Sequence, residues 1–165
     1  MSTTARYETA IEADPKLPIV RITRDFDATP DRVFRAFVEP DLVARWLGPD
    51  ETGIRIDAWE ARTGGNYRYV VTKDDGEEVA AFYGSFHEVR PSGRIVQTQT
   101  FEAIPDGVAL ETLTLEDIGD GRTRVTSTTV MESFEARDGL IASGMESGVL
   151  AGYATLDGML ADGVV

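Results

Sequence analysis

Asp138–Ala161 reads DGLIASGMESGVLAGYATLDGMLA. Its residues Ile141, Met145, Val149, Leu156, Met159 and Leu160 fall at helical spacing, beside a row of glycines at Gly144, Gly148 and Gly152. As one helix, roughly 36 Å long at the standard rise, the segment can cross a whole sheet diagonally. A mid-helix glycine costs about 1 kcal/mol relative to alanine, so these three are not there for helix stability. Either a packed neighbour comes unusually close to that stripe, or space is kept beneath it for a bound molecule.

The preceding chain supplies the partner. Residues 1–18 are polar and end in Asp14-Pro15-Lys16-Leu17-Pro18, which reads as an arm. Ile19–Phe26 alternates as a half-buried strand, with Val20, Ile22, Arg24 and Phe26 in one phase. Thr29-Pro30 then starts a short helix carrying Val33, Phe34 and Phe37. Pro40 starts a second with Leu42, Val43, Trp46 and Leu47, stopped by Gly48-Pro49. From Gly53 to Met131 the period is two, giving candidate strands Gly53–Trp59, Gly65–Lys73, Glu78–Val89, Gly93–Glu102, Val108–Asp117 and Arg122–Met131. Asp74-Asp75-Gly76, Pro91-Ser92-Gly93, Pro105-Asp106-Gly107 and Gly119-Asp120-Gly121 are the turns between them. The order predicts an α+β fold: seven antiparallel strands, two small helices after the first, and one long helix covering a single face.

Composition narrows the function. At 165 residues the chain fits one domain, residues 19–165 after the arm. It has no cysteine, which excludes disulfide and thiolate chemistry and fits a cytoplasmic setting. The N-terminus lacks a signal peptide's apolar core, and no apolar run is long enough to span a membrane. A net charge of −13 argues against nucleic acid and anionic membrane surfaces as partners. The bland account of that acidity is solubility. The protein partners left open are a chaperone or other basic protein and a second copy of the chain.

A catalytic set is not legible. His87 is the only histidine and sits mid-strand, where a packed or surface role is the ordinary one. With no second histidine and no cysteine, no zinc or copper cluster is expected, and no cofactor fingerprint is present. Ser133, Ser143 and Ser147 have no histidine nearby in sequence. The aromatics say more. Trp46, Tyr67 and Tyr69 fall where an inner face is expected, and Gln97 and Gln99 alternate with Ile95 and Phe101. If that phase points inward, two amides sit among apolar walls, which is how small-molecule pockets are built. The opposite phase would put Val96, Thr98 and Thr100 inside instead. Arg24 is equally ambiguous, reaching inward as a buried cation or snorkelling out at the strand end.

In combination, several motifs resemble the heat-shock protein 90 ATPase activator homologue family of the START-like (SRPBCC, birch-pollen-allergen-like) superfamily. They are Ile22-x-Arg24-x-Phe26-x-Ala28-x-Pro30-x-x-Val33-Phe34, Trp46-x-Gly48-Pro49 and Arg62-x-Gly64-Gly65-x-Tyr67. The match continues through Gly84-x-Phe86-x-Glu88-Val89-x-Pro91-x-x-Arg94-Ile95-Val96-x-Thr98 and on to Ser133-x-x-x-Arg137-Asp138-Gly139, Gly144-Met145-Glu146 and Tyr153-x-x-Leu156. The resemblance spans roughly residues 19–161. It implies a helix-grip fold, a curved antiparallel sheet wrapped around the C-terminal helix with a cavity between. Three departures bear on that cavity: Glu60 stands where the family often has aspartate, Val149 where many members carry tryptophan, and Gln97 and Gln99 replace common aromatics.

The expectation is therefore a cavity that binds a small, largely apolar or amphipathic molecule. Trp46, Tyr67, Tyr69, Met145, Val149 and Tyr153 would form its wall, and Gln97, Gln99 and Arg24 its polar contacts. Two rivals remain. The superfamily's aromatase/cyclase and hydrolase-like members imply an enzyme, which would need an ionisable group such as Arg24, Glu60 or His87 inside the cavity. A chaperone-interacting module would use the acidic surface instead.

Overall fold

The computed structural model of the chain describes residues 7–48 and 51–165. Eight strands form one antiparallel sheet: β1 (Ala10–Ala13), β2 (Ile19–Phe26), β3 (Gly53–Trp59), β4 (Asn66–Thr72), β5 (Glu78–Arg90), β6 (Arg94–Phe101), β7 (Ala109–Gly119) and β8 (Arg122–Val130). Their order across the sheet is β1-β2-β8-β7-β6-β5-β4-β3. Four helices complete the fold: α1 (Pro30–Val38), α2 (Pro40–Trp46), α3 (Phe134–Ala142) and α4 (Met145–Ala161).

Six hairpin-linked strands, β3 to β8, lie where period two places them, because each strand buries one phase and exposes the other. Two expectations are corrected. The sheet has eight strands and not seven. The additional one, β1, comes from the lead-in and pairs with β2 in the register Ala10↔Thr23 to Ala13↔Val20. Its side chains are mostly exposed, so backbone pairing alone makes it a strand and no amphipathic signature marks it.

The second correction concerns the C-terminal helix, which is two helices. Ser133 caps α3 by accepting a hydrogen bond from the Ala136 amide at 3.0 Å. The helical path then breaks at Gly144, whose φ of +85° belongs to the left-handed region. Of the three glycines, Gly144 is thus a hinge between helices. Gly152 is the close-approach site, but its neighbour is a helix end and not the sheet: a β-carbon there would lie 2.8 Å from the Trp46 carbonyl oxygen.

Proline opens both α1 and α2 at the first helical position, as expected. Thr29 occupies the N-cap position of α1 without making a side-chain cap, its carbonyl accepting from the Val33 amide at 3.1 Å. Pro49, expected to stop α2, lies outside the described residues.

The core lies between one face of the sheet and α1, α2 and α4. Val20, Ile22 and Phe26 of β2 join Val33, Phe34, Trp46, Tyr153, Leu156, Met159 and Leu160 there. Phe26 and Tyr153 meet edge to face at 5.2 Å between centroids. Register breaks in β3, β5 and β7 add local twist and bend to the sheet. No described helix is long and apolar enough to cross a membrane.

Candidate functional site

Register settles the phase that alternation left open. Tyr67 pairs with Gly84, Phe86 with Gln97, and Gln97 with Glu111. Glu111 in turn pairs with Thr129, and Thr129 with Val20. Directly paired residues share a face, so Gln97 and Gln99 lie on the inner face with Tyr67, Tyr69, Glu111 and the core side of β2.

A polar network crosses this face. The Tyr67 hydroxyl donates to the Thr98 carbonyl at 2.6 Å and lies 3.3 Å from Gln99 Oε1. Tyr69 donates to the same Gln99 oxygen at 3.5 Å. Gln97 Nε2 donates both to the Tyr67 oxygen and to Glu111 Oε2, each at 3.2 Å. The orientation of Gln97 follows from chemistry, since a carboxylate only accepts and must face the amide's N–H side. Gly84 makes the Tyr67 contact possible. A β-carbon there would overlap the Thr98 carbonyl oxygen and lie 2.8 Å from the Tyr67 hydroxyl.

Aromatic rings frame the network. Trp59, Tyr67 and Phe86 stand in mutual contact, with centroids 5.2 to 5.7 Å apart. Tyr69 stacks on Phe82 at 5.3 Å. From α4, Tyr153 is buried, while Met145 and Val149 are half-buried against the core. Trp46 is buried and its indole donates to the Ala36 carbonyl at 2.8 Å, which fixes that wall. Arg24 is 1% exposed and its guanidinium forms an ion pair with Asp157 of α4. Its face lies 4.8 Å from the Phe26 ring centroid.

Glu111 is the member that sequence reading missed. Ala109, Glu111, Leu113 and Leu115 share a phase on β7, so an acid in step with apolar inner positions was the available signal. Of the ionisable residues singled out from sequence, His87 and Glu60 are exposed, and Glu60 pairs with Arg62 at 3.0 Å. Glu111 is instead deep among protein atoms, and burial pushes its carboxyl up to about 7 against the opposing bond from Gln97. It nevertheless keeps accessible surface, as do Gln97, Gln99, Phe82 and Leu113 around it. These side chains are closely surrounded yet incompletely covered. Burial, and then the Glu111 charge, push the Tyr67 and Tyr69 hydroxyls above the usual phenol range. Burial drives Tyr153 up to about 12, with Arg24 opposing and Glu111 adding.

Two open hollows lie elsewhere. One of about 490 Å³ sits between α2 and the edge strand β3, lined by Pro40, Asp41, Ala44 and residues 54–59. The other, about 230 Å³, is beside Phe101, Ala103 and Glu78–Ala81. Neither is lined by a member of the Tyr–Gln–Glu network, and neither gathers buried polar groups, so the network is the better candidate site. Among the described residues no group of three or more histidines and acids could hold a metal ion.

Comparisons agree with this architecture. The family model described as activator of Hsp90 ATPase homolog 1-like protein matches residues 27–161. A protein from Rhodobacter sphaeroides of known crystal structure is 27% identical, with a TM-score of 0.85, covering 94% of this chain and 99% of its own. A protein from Arthrobacter aurescens solved by NMR is 26% identical, with a TM-score of 0.83 and coverages of 93% and 91%. DynU16, a protein in the dynemicin biosynthetic locus, is 24% identical with a TM-score of 0.67, covering 88% of this chain and 48% of its own, and shares the fold. No curated protein matches the chain at significance.

Proposed function

The chain belongs to the activator of Hsp90 ATPase homolog 1-like family, and from that premise we propose that the space between its sheet and α4 binds a small, largely apolar molecule. The carrying observation is the Tyr67–Gln97–Gln99–Glu111 network, set among aromatic rings on an inner face that keeps accessible surface. A core built for stability alone would gain more from apolar residues at these positions, because each buried polar group must recover its lost hydration. A few convergent polar groups on apolar walls give a ligand orientation and specificity.

In this reading Tyr67, Tyr69, Trp46, Tyr153, Met145 and Val149 form the wall, and Gln97, Gln99 and Glu111 the polar contacts. Arg24 acts on the site through α4, which its bond to Asp157 holds in place. Native mass spectrometry of the purified chain tests for a retained small molecule. A thermal-shift screen follows, in which ligand at one hundred times its Kd stabilises by about 2.7 kcal/mol. Binding that survives Gln99→Ala and Tyr69→Phe unchanged would place the ligand elsewhere.

An enzymatic version of the same reading is favoured by one feature, the Glu111 carboxyl on the inner face, pushed by burial up to about 7. A group so poised can take and return a proton at working pH. Its signature would be a bound molecule recovered chemically altered by the wild type and intact from Glu111→Gln.

A further inference from the structure

The network has an unbalanced end. Tyr67 and Tyr69 spend their hydroxyl protons on Thr98 and Gln99, and Gln97 spends its amide protons on Tyr67 and Glu111. The carboxylate of Glu111 thus receives one neutral donor, and its remaining lone pairs receive none among the described residues. The groups that face it are Tyr67 and Tyr69 from β4, Gln97 from β6, Thr129 from β8 and Tyr153 from α4. None of these is a cation. The buried cation of the core, Arg24, is already matched by Asp157. A carboxylate deep in a protein without a counter-charge takes up a proton more readily, as the raised Glu111 value shows, or is paired by a cation that arrives.

We infer that the ligand of this inner face is a protonated amine on an apolar body, and that Glu111 is the group that receives its ammonium. This rests on the binding reading above and adds the chemical class. The ammonium supplies both the missing donors and the missing charge. Gln99 Nε2, the donor the network leaves over, would take an oxygen further along the ligand. The net charge of −13 concentrates cations at the surface without itself selecting this site.

The test uses three probes of equal length: n-octylamine, 1-octanol and octanoate, titrated calorimetrically at pH 8 into wild type and Glu111→Gln. Octylamine is expected to bind about tenfold or more tighter than octanol, with octanoate weakest. In Glu111→Gln the amine is expected to lose that advantage over octanol, with a near-UV circular dichroism spectrum matching wild type showing that the variant is folded. Octanol binding as tightly as octylamine overturns the inference and leaves the binding reading standing. So does an amine preference that survives in Glu111→Gln, since it would then come from the acidic surface. If none of the three binds at millimolar concentration, the binding reading falls with it.

Discussion

Arg24 on β2 and Asp157 on α4 form a charge pair across the core, with Arg24 Nη1 donating to Asp157 Oδ1 at 3.0 Å and Nη2 bound to Oδ2. The Arg24 side chain is fully covered and that of Asp157 is 11% exposed. They lie 133 residues apart in sequence, so the pair ties the last helix to one of the first strands.

Removing Asp157 leaves the Arg24 guanidinium buried without the carboxylate that pairs with it. Asp157→Ala is expected to cost about 3–5 kcal/mol, and the Arg24→Met/Asp157→Leu double variant distinctly less. Urea denaturation of the three proteins measures both. A double variant as unstable as the single one would mean the pair is not the source of the loss.

Gly152 and Gly139 predict opposite signs for the same change. Alanine at Gly152 would press on the Trp46 carbonyl, and the overpacking, about 1–3 kcal/mol, outweighs a propensity gain of about 1. Alanine at Gly139 in α3 meets nothing within 4 Å, so Gly139→Ala is expected to stabilise by up to about 1 kcal/mol. Thermal unfolding of the pair is the check.

Glu111 should make stability fall as pH rises. Its folded carboxyl is raised to about 7 from an unfolded value near 4.5, so the native state holds the extra proton between those values. Stability therefore declines across that window and levels off above it. The full effect is on the order of 3 kcal/mol. Glu111→Gln should be more stable than wild type at pH 8, with the difference shrinking toward pH 5. Asp14, Asp25, Asp57 and Glu39 have lowered values and act at lower pH with the opposite sign. They cancel when the two proteins are compared.

Tyr67 and Gly84 depend on each other. Tyr67→Phe strands the Thr98 carbonyl and one Gln97 proton, for an expected loss of about 1–3 kcal/mol. Gly84→Ala must move the β6 backbone or expel the Tyr67 ring, so it should cost about 3 kcal/mol or more. Combining the two should cost less than their sum, because the phenyl ring no longer competes for the Thr98 oxygen. Strict additivity in denaturation would refute the coupling.

Much of the fold was legible because hairpins and short helices are local. Alternation placed six strands within one or two residues of their observed ends, and proline marked both helix starts. β1 was not legible, since an edge strand with exposed side chains leaves no pattern. Nor was the break at Gly144, because periodicity continues across one left-handed residue. The inward burial of Tyr67 and Tyr69 followed from phase. Glu111 did not, because it is one acid among many until its neighbours are known.

The sequence by itself determined the element order, the antiparallel meander and the family, all of which rest on periodicity, turn chemistry and motifs close in the chain. Only the tertiary structure decided which way Gln97 and Gln99 point, which acid is buried, and what Gly152 touches. The reason is that each depends on a partner supplied by a distant strand or helix. Burial, charge and clash at a residue are properties of that partner as much as of the residue itself.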